Sequence, residues 1–193
     1  MTDLTEVKAA ARKTAFERRA EAHRARMPGT AALLSGVLAG YRGVPLAGYM
    51  PIRSEIDPLT AMEEAAAHGP VGVPVIRGAG LPLDFSRWGP GCALREGPFG
   101  AMVPEVDDFF EPEILIVPLV AFDRRRGRLG YGGGFYDRTL EMLRARRGTL
   151  AIGFAYGAQE AAELPLEPTD QPLDMVVTEV EVISFGTRGQ SGR

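Results

Sequence analysis

Apolar runs alternate along the chain with segments whose composition favours helices. The strongest run is EILIVPLVAFD at residues 113–123, which is almost wholly apolar, as expected for a central strand that is covered on both faces. Shorter apolar runs bounded by turn residues predict further buried strands. These runs cover residues 44–50, 70–76, 149–156 and 173–179, and residues 180–185 are expected to extend or edge the same sheet.

The segments between the runs predict helices. Residues 3–26 contain no Gly or Pro and are rich in Ala, Glu, Lys and Arg, which favours a helix with Asp3 or Thr5 as its N-cap. Further helices are predicted over residues 30–39, 58–68 and 138–147. Strands and helices that alternate at this spacing predict an α/β protein, a three-layer α/β/α sandwich with a mainly parallel sheet.

The chain is expected to form one domain. Its 193 residues, of which 45% are hydrophobic, suffice for one sizeable core and are slightly short for two. We assign residues 1–185 to this domain and residues 186–193 to a flexible tail. Ligands of such sheets bind beyond the carboxyl ends of the strands. Three loops are expected at that edge, at residues 51–57, 124–137 and 160–170.

The charge balance argues against a polymer as ligand. The formal net charge is −3, so there is no basic excess for phosphate contacts along a nucleic acid. The basic residues are nevertheless clustered near the N-terminus and at 124–128, which favours a small anionic ligand. Cys92 is the single cysteine, and no stretch is typical of a signal peptide or a membrane span. We therefore expect a cytoplasmic protein without nucleic-acid or membrane partners, and nothing demands more than a monomer.

A glycine-rich loop follows the strongest strand. Four glycines fall within residues 130–134, between Arg128 and Asp137. Such a loop lets successive N–H groups converge on an anion, and the following helix adds its positive end. It is neither a Walker A loop nor a G-x-G-x-x-G fingerprint, whose third glycine would fall at Phe135. We predict a phosphate site here; the alternative is a turn that lets strand and helix pack closely.

The residues around this loop resemble a family signature. AFDRRRGRLGYGGGFYDRTL at 121–140 is similar to F-D-x-x-G-x-R-L-G-x-G-x-G-[YF]-Y-D-R-x-L of the 5-formyltetrahydrofolate cyclo-ligases, also called methenyltetrahydrofolate synthetases. The resemblance covers nearly the whole chain. It includes KAAAR at 8–12, YMPIRSEID at 49–57, and a C-terminal block from IGFAY at 152–156 to VVTE at 176–179.

The resemblance implies a Rossmann-like fold and an ATP-dependent ligase that requires Mg²⁺. Its substrates would be a reduced folate and ATP. The formyl oxygen of 5-formyltetrahydrofolate would attack the γ-phosphate of ATP. N10 would then capture the phosphorylated imidate, and phosphate would leave to give 5,10-methenyltetrahydrofolate and ADP.

The resemblance also implies residue roles, and several residues have more than one. The ATP-binding residues would be Lys8, Arg12, Arg128, Leu129, Gly130, Tyr131, Gly132, Gly133, Gly134, Phe135 and Tyr136. The folate-binding residues would be Met50, Glu55, Tyr131, Gly132, Gly133, Gly134 and Phe135, with Phe99 as a stacking partner of the pterin. The Mg²⁺ ligands would be Asp137 and Asp170. The catalytic candidates are Glu55, Arg128 and Tyr136, with Glu55 at the polar edge of the pterin.

Spacing and composition alone allow simpler roles for some of these residues. Lys8 and Arg12, four apart on one helix face, could lie on a solvated surface. Glu55 could be a solvated loop acid, and Asp170 could be a turn residue. Phe99 could anchor its loop.

The chain departs from the family pattern at four places. Arg126 stands where the family usually has Gly, and Pro58 stands where it has Thr. Glu105-Val106 replaces Glu-Pro, and Thr169 replaces a His before the metal-binding aspartate. No phosphate or metal ligand is lost.

Two other functions stay open at this point. A family paralogue would use ATP on a different formylated or amide substrate. A non-catalytic protein would bind a nucleotide or folate without turnover, although the two aspartates argue against it.

Overall fold

The computed structural model describes residues 3–186 of the protein. The tail predicted over 186–193 lies outside the described residues, apart from Gly186. No helix within this range is both long and apolar enough to cross a membrane. The helices are α1 Leu4–Ala25, α2 Ala32–Leu38, α3 Leu59–Ala66 and α4 Phe135–Arg146. The strands are β1 Leu46–Ala47, β2 Val71–Val75, β3 Asp84–Arg87, β4 Leu94–Glu96, β5 Met102–Pro104, β6 Ile114–Pro118, β7 Ala121–Phe122, β8 Arg128–Leu129, β9 Leu150–Phe154, β10 Met175–Val177 and β11 Val182–Ser184.

A seven-stranded sheet in the order β11-β10-β9-β6-β1-β2-β3 forms the centre of the fold. The five inner strands are parallel, and the edge strands β3 and β11 are antiparallel to their neighbours. Two short antiparallel pairs, β4-β5 and β7-β8, stand apart from this sheet. The predicted α/β fold with a mainly parallel sheet is confirmed, and β11 edges the sheet as expected.

Side chains of β6 alternate between two helical layers. Ile114 and Ile116 belong to a core that contains residues of α2 and α3, whereas Leu115 and Val117 belong to a core that contains residues of α4. Because successive side chains of a strand point to opposite faces, one apolar run serves both cores. The three-layer arrangement follows from this double burial.

The prediction of one strand over residues 113–123 is wrong at its carboxyl end. The ladder stops at Pro118, and the chain then leaves the sheet to form β7 and β8. The Gln159 amide nitrogen donates to the carbonyls of Leu119 and Val120, at 2.9 and 3.1 Å, in place of ladder partners. The run is apolar throughout because both parts are buried, so hydropathy did not reveal the break.

The helix predicted from residue 138 begins earlier, at Phe135. Gly134 adopts a left-handed conformation with φ 65° and is the residue before the helix. Glycine accepts this conformation readily because it has no Cβ atom. Asp137 therefore lies in the first turn of α4, in agreement with its expected place at the start of this helix. The other predicted elements differ from the observed ones by a few residues at their ends, and Asp3 caps α1 as predicted.

A buried carboxylate closes the turn between β7 and β8. Asp123 is 0% exposed, and its Oδ1 accepts from the N–H groups of Arg125 and Gly127, both at 2.9 Å. Its Oδ2 accepts from the N–H of Leu164 at 3.3 Å. Asp123 therefore ties this turn to the loop that follows β9.

Arg126, which replaces the usual glycine, has a positive φ of 75°. This conformation costs a residue with a Cβ about 1–2 kcal/mol. The Arg126 side chain is held by the two residues directly before β10. Its Nε donates to the Leu173 carbonyl at 2.9 Å, and its Nη2 donates to the Asp174 carboxylate at 3.0 Å. These contacts explain how an arginine occupies a position that favours glycine.

We predict that Asp123→Ala lowers the free energy of unfolding by roughly 2–4 kcal/mol, because it leaves buried N–H groups without an acceptor. Urea unfolding followed by circular dichroism measures the change. Asp107→Ala is the control, since Asp107 forms an exposed ion pair with Arg95, and such pairs contribute about 1 kcal/mol or less. Equal effects of the two substitutions would contradict the assigned role of Asp123.

Candidate functional site

The three predicted loops lie at the carboxyl edge of the parallel strands. Residues 51–57 follow β1, the β7-β8 turn and glycine-rich loop follow β6, and residues 160–170 follow β9. Helix α1 lies against the same loops, because three of its side chains bond to residues of all three. The site is therefore assembled from four separate parts of the chain.

Helix α1 places cationic side chains on its buried face. Lys8 and Arg19 are 7% and 1% exposed, and Arg12 is partly buried. With Ala15, which is fully buried, they follow one another at helical spacing on one side of the helix. We call Lys8, Arg12 and Arg19 the cationic stripe. A solvated face for Lys8 and Arg12 is excluded, since both point into the protein.

Lys8 is paired with two acids of the 160–170 loop. Its ammonium nitrogen lies 2.7 Å from the carboxylates of both Glu167 and Asp170. Burial opposes the charge of Lys8, but the bonds to Asp170 and Glu167 outweigh it and raise the pKa of Lys8 above its ordinary value. The same Asp170 oxygen accepts the N–H of Glu167, so Asp170 also shapes its turn.

The glycine-rich loop leads into the amino end of α4. Gly132 has φ 101°, and a Cβ atom there would lie 3.5 Å from the guanidinium carbon of Arg12. Nε of Arg12 donates to the Gly130 carbonyl at 2.8 Å. The first turn of α4 has no side-chain cap. Its N–H groups and the Arg12 guanidinium therefore border one loop and present donors suited to an anion.

Arg128 is held by the first turn of α4. Its Nη2 lies 2.8 Å from Oδ1 of Asp137, and the same oxygen accepts from the N–H of Gln171 at 2.8 Å. Arg128 is 4% exposed, and its Nε has no hydrogen-bond partner among residues 3–186. A buried donor without an acceptor indicates a place that a ligand oxygen can fill.

Asp137 and Asp170 fit the needs of a magnesium ion that also binds phosphates. The contact of Gln171 with Asp137 brings residue 170 close to α4. Within residues 3–186, the hydrogen bonds to each carboxylate fall on one oxygen only, which leaves the other for a cation. No set of three or more His, Cys, Asp or Glu side chains there could hold a metal by itself. One or two carboxylates supplemented by phosphates are the usual Mg²⁺ ligands.

Glu55 forms a second polar group beside the glycine-rich loop. It is 5% exposed, so the alternative of a solvated loop acid is excluded. Its Oε2 accepts the N–H of Ile52 at 2.9 Å, and its Oε1 accepts the Tyr131 hydroxyl at 3.1 Å. The same hydroxyl accepts from Nη2 of Arg19 at 2.7 Å. A continuous chain of hydrogen bonds therefore joins α1, the glycine-rich loop and residues 51–57.

Burial sets the protonation behaviour of this group. It raises the pKa of Glu55, although the Ile52 N–H, the Arg19 charge and the Tyr131 hydroxyl counteract it. Burial, followed by the charge of Glu55, raises the pKa of Tyr131 to about 12. Tyr131 therefore stays protonated at neutral pH, and its hydroxyl donates a hydrogen bond to the Glu55 carboxylate.

Other predicted residues occupy different surroundings. Leu129 is buried in a small core with Ala15 and Leu164, so only its backbone is available to a ligand. The Tyr136 hydroxyl is buried without a hydrogen-bond partner among residues 3–186. Burial and then the charge of Glu55 raise the pKa of Tyr136. Phe135 packs against the core beneath α4.

Two folate candidates are not joined to this network. Met50 is half-buried against the core on the α2 and α3 face. Phe99 is 72% exposed at the tip of the β4-β5 hairpin, with a positive φ of 62°. An exposed aromatic side chain on strained backbone is consistent with a binding role, and stacking on a pterin stays a prediction for Phe99.

The structure adds two residues that the sequence reasoning missed. Arg19 was counted only as part of a basic cluster, and Glu167 received no role. A signal for Arg19 was present, because it lies seven residues, about two helical turns, after Arg12. Glu167 has no such signal, since its contact with Lys8 spans 159 positions of the chain.

Comparison with known proteins places this site in a family. A 5-formyltetrahydrofolate cyclo-ligase of Mycolicibacterium smegmatis is 32% identical over 162 residues, covering 78% of this chain and 82% of that protein. The Haemophilus influenzae enzyme of the same name is 40% identical over 96 residues, and there the match spans about half of each protein. A solution structure of Aquifex aeolicus 5,10-methenyltetrahydrofolate synthetase superposes with a TM-score of 0.73 and 28% identity, covering 97% of this chain and 95% of that one.

The family profile itself matches almost the whole described structure, from residue 5 to residue 179. That range includes the cationic stripe, Glu55, the glycine-rich loop and both aspartates. The chain therefore belongs to the 5-formyltetrahydrofolate cyclo-ligase family.

Proposed function

We propose that the protein converts 5-formyltetrahydrofolate to 5,10-methenyltetrahydrofolate with consumption of ATP. One observation carries this proposal. Cations of α1, the glycine-rich loop and two aspartates converge at one sheet edge, directly beside the Glu55 and Tyr131 pair. The first group suits a triphosphate and the second suits a polar heterocycle. The names of the relatives support it, since two are called 5-formyltetrahydrofolate cyclo-ligase and the Aquifex aeolicus protein is called 5,10-methenyltetrahydrofolate synthetase.

The reaction joins one phosphoryl transfer to one ring closure. The formyl oxygen attacks the γ-phosphorus of ATP, the bond to the bridging oxygen breaks, and ADP leaves. N10 then attacks the activated formyl carbon and loses its proton. Release of phosphate completes the methenyl bridge. For such steps the protein contributes chiefly positioning and charge neutralisation.

The phosphate side consists of Lys8, Arg12, Arg128 and the 130–134 loop. In the structure, Lys8 is paired with Asp170 and Arg128 with Asp137. We infer that the two basic side chains turn to phosphate oxygens when ATP binds. The Nε of Arg128 is buried and has no partner among residues 3–186, so the same rearrangement would give it an acceptor. Each buried cation would then keep an anionic partner throughout, which avoids the cost of an unpaired buried charge.

Asp137 and Asp170 would hold Mg²⁺ through the carboxylate oxygens that carry no hydrogen bond. The ion, when bound, supplies charge neutralisation for the triphosphate. The two aspartates would leave Arg128 and Lys8 for the phosphates as they take up the ion. Gln171 keeps Asp137 oriented by its N–H donation at 2.8 Å.

The folate side consists of Glu55, Tyr131 and the neighbouring loop, with Met50 and Phe99 as further candidates. The Glu55 carboxyl group would form hydrogen bonds with the polar edge of a pterin. Tyr131 and Tyr136 are phenols that stay protonated at neutral pH because burial raises the pKa of each. The unpartnered Tyr136 hydroxyl is a donor suited to an oxygen of a bound ligand. That the protein is a cytoplasmic monomer stays a prediction from the sequence.

The first test is the near-ultraviolet absorbance of the methenyl product in a mixture of protein, 5-formyltetrahydrofolate, ATP and Mg²⁺. We expect the chromophore only when all four are present, with one ADP formed per product. ATP binding without the chromophore would contradict the assigned folate substrate and favour a paralogue with another formylated or amide substrate. Binding without any nucleotide turnover would favour the non-catalytic alternative.

Asp137→Asn and Asp170→Asn test the magnesium assignment. Since loss of groups that merely orient a metal ligand costs about 10- to 100-fold in affinity, we expect each substitution to raise the half-saturating Mg²⁺ concentration at least that much. Initial rates over a Mg²⁺ titration measure it. Asp84→Asn is the control. Asp84 lies on the edge strand β3 and forms an ion pair with Arg77, outside the proposed magnesium site. An unchanged Mg²⁺ dependence in both site variants would refute the assignment.

Glu55→Gln tests the buried carboxylate by stability as well as by turnover. Because the pKa of Glu55 is raised in the folded protein, the folded state binds its proton more tightly than the unfolded chain does. The stability that this proton provides is present below the ordinary glutamate pKa of 4.5 and is lost as the pH rises through the folded value. The unfolding free energy of the variant, relative to wild type, should therefore increase above pH 4.5 and then level off.

Urea unfolding without ligands, at a series of pH values, measures this difference. Turnover of reduced folate should fall roughly 10- to 100-fold, the equivalent of one charge-assisted hydrogen bond, while ATP affinity is unchanged. A pH-independent stability difference would show that Glu55 titrates normally. Undiminished turnover would remove Glu55 from the folate site.

A further inference from the structure

Arg19 is a buried cation without an anionic partner. It is 1% exposed, and it forms no ion pair with a carboxylate among residues 3–186. Taking a guanidinium out of water is unfavourable unless other groups compensate. A methionine or leucine would fill such a space without that penalty. The buried guanidinium of Arg19 therefore indicates a role other than packing.

The donors of Arg19 reach three separate parts of the site. Its Nε donates to the Ser54 hydroxyl at 3.1 Å, and its Nη1 to the Leu119 carbonyl at 3.4 Å. Its Nη2 donates to the Tyr131 hydroxyl at 2.7 Å, the shortest of the three bonds. One planar side chain thus joins the 51–57 loop, the chain leaving β6 and the glycine-rich loop.

Aromatic contacts add to this hold on Tyr131. The guanidinium carbon of Arg19 lies 5.1 Å from the ring centre of Phe16 and 5.3 Å from that of Tyr131. The two rings lie 5.4 Å apart. Tyr131 is 39% exposed, so part of its ring is open to solvent while its hydroxyl end is fixed. A ring held in this way can meet a ligand without first losing rotational freedom.

We propose that Arg19 is a positioning residue for the folate side of the site, which holds the Tyr131 hydroxyl in place to donate to the Glu55 carboxylate. This inference rests on the proposed function, because it assumes that Tyr131 and Glu55 meet the reduced folate. Arg19 itself does not touch the reacting atoms. Its effect passes through the hydrogen bonds from Nη2 to Tyr131 and from Tyr131 to Glu55.

Several titratable groups face Glu55 from the elements packed around it. Arg19 and His23 come from α1, Arg53 from the same loop, Tyr49 from the end of β1, Tyr131 from the glycine-rich loop and Tyr136 from α4. Among the charged groups, Arg19 lowers the pKa of Glu55 more than Arg53 does. Arg53 is exposed, so water screens its charge.

The test is a carbon NMR titration of the Glu55 carboxyl in the protein without ligands, with the signal assigned by its loss in Glu55→Gln. Arg19→Met should raise the pKa of Glu55, and Arg53→Met should raise it less. Arg19→Lys keeps the charge and should retain a pKa closer to that of the wild type. This measurement does not require turnover, so it decides the coupling of Arg19 to Glu55 even if the proposed reaction is wrong.

Kinetics supply the second part of the test. Arg19→Met should lower kcat/KM for the reduced folate roughly 10- to 100-fold, as expected when a binding group is misplaced. The KM for ATP should stay within about twofold, and the acidic limb of the pH profile should move to higher pH.

Arg18→Met is the matched control, because Arg18 is the neighbouring arginine of α1 and donates to the Glu160 carbonyl at 2.9 Å. It should lower stability and leave the pKa of Glu55 unchanged. The proposal is overturned if Arg19→Met leaves the pKa of Glu55 unchanged. It is also overturned if the KM values for ATP and folate change equally, since that would indicate a purely structural role.

Discussion

The arrangement of the site depends on how the chain leaves the sheet after β6. At Pro118 the strand ends inside the protein, so the backbone groups that follow need hydrogen-bond partners other than a neighbouring strand. Gln159 donates to the carbonyls of Leu119 and Val120, and Arg19 donates to the first of these. These buried bonds fix the start of the glycine-rich segment against α1 and the turn after β9. The proposed phosphate and folate sides of the site are built on this fixed segment.

Two of the buried cations of the site each have an acidic partner. Lys8 has Asp170, and Arg128 has Asp137. In the proposed function, a ligand that carries both Mg²⁺ and phosphates would offer new partners to both members of each pair. Glu55 and Arg19 form no ion pair among residues 3–186. The Glu55 carboxylate accepts hydrogen bonds from neutral donors, the Ile52 N–H and the Tyr131 hydroxyl. The folate side therefore holds its charge at a cost in stability, as is common where binding groups are preorganised.

Much of the proposed phosphate site could be located from the sequence because its parts are local. Arg128, the glycines and Asp137 lie within ten consecutive residues, and the spacing of Lys8 and Arg12 places them on one face of a helix. The folate side was less predictable. Composition predicts only that Glu55 is an acidic residue in a loop. Its hydrogen bond comes from Tyr131, which lies 76 positions away in the chain.

The sequence by itself determined the α/β class, the order of the main parallel strands and the helices, and the position of the glycine-rich loop, because hydropathy, helix propensity and glycine content act over short distances. Only the tertiary structure decided where β6 ends, which acids face Lys8, and that Arg19 is buried beneath Tyr131. The end of β6 depends on Gln159 and Arg19, which lie 40 and 100 positions from Leu119. The other two features join residues that lie more than a hundred positions apart, as in the contact of Arg19 with Tyr131. Their partners are chosen by the requirement that buried polar groups be satisfied, which no local pattern records.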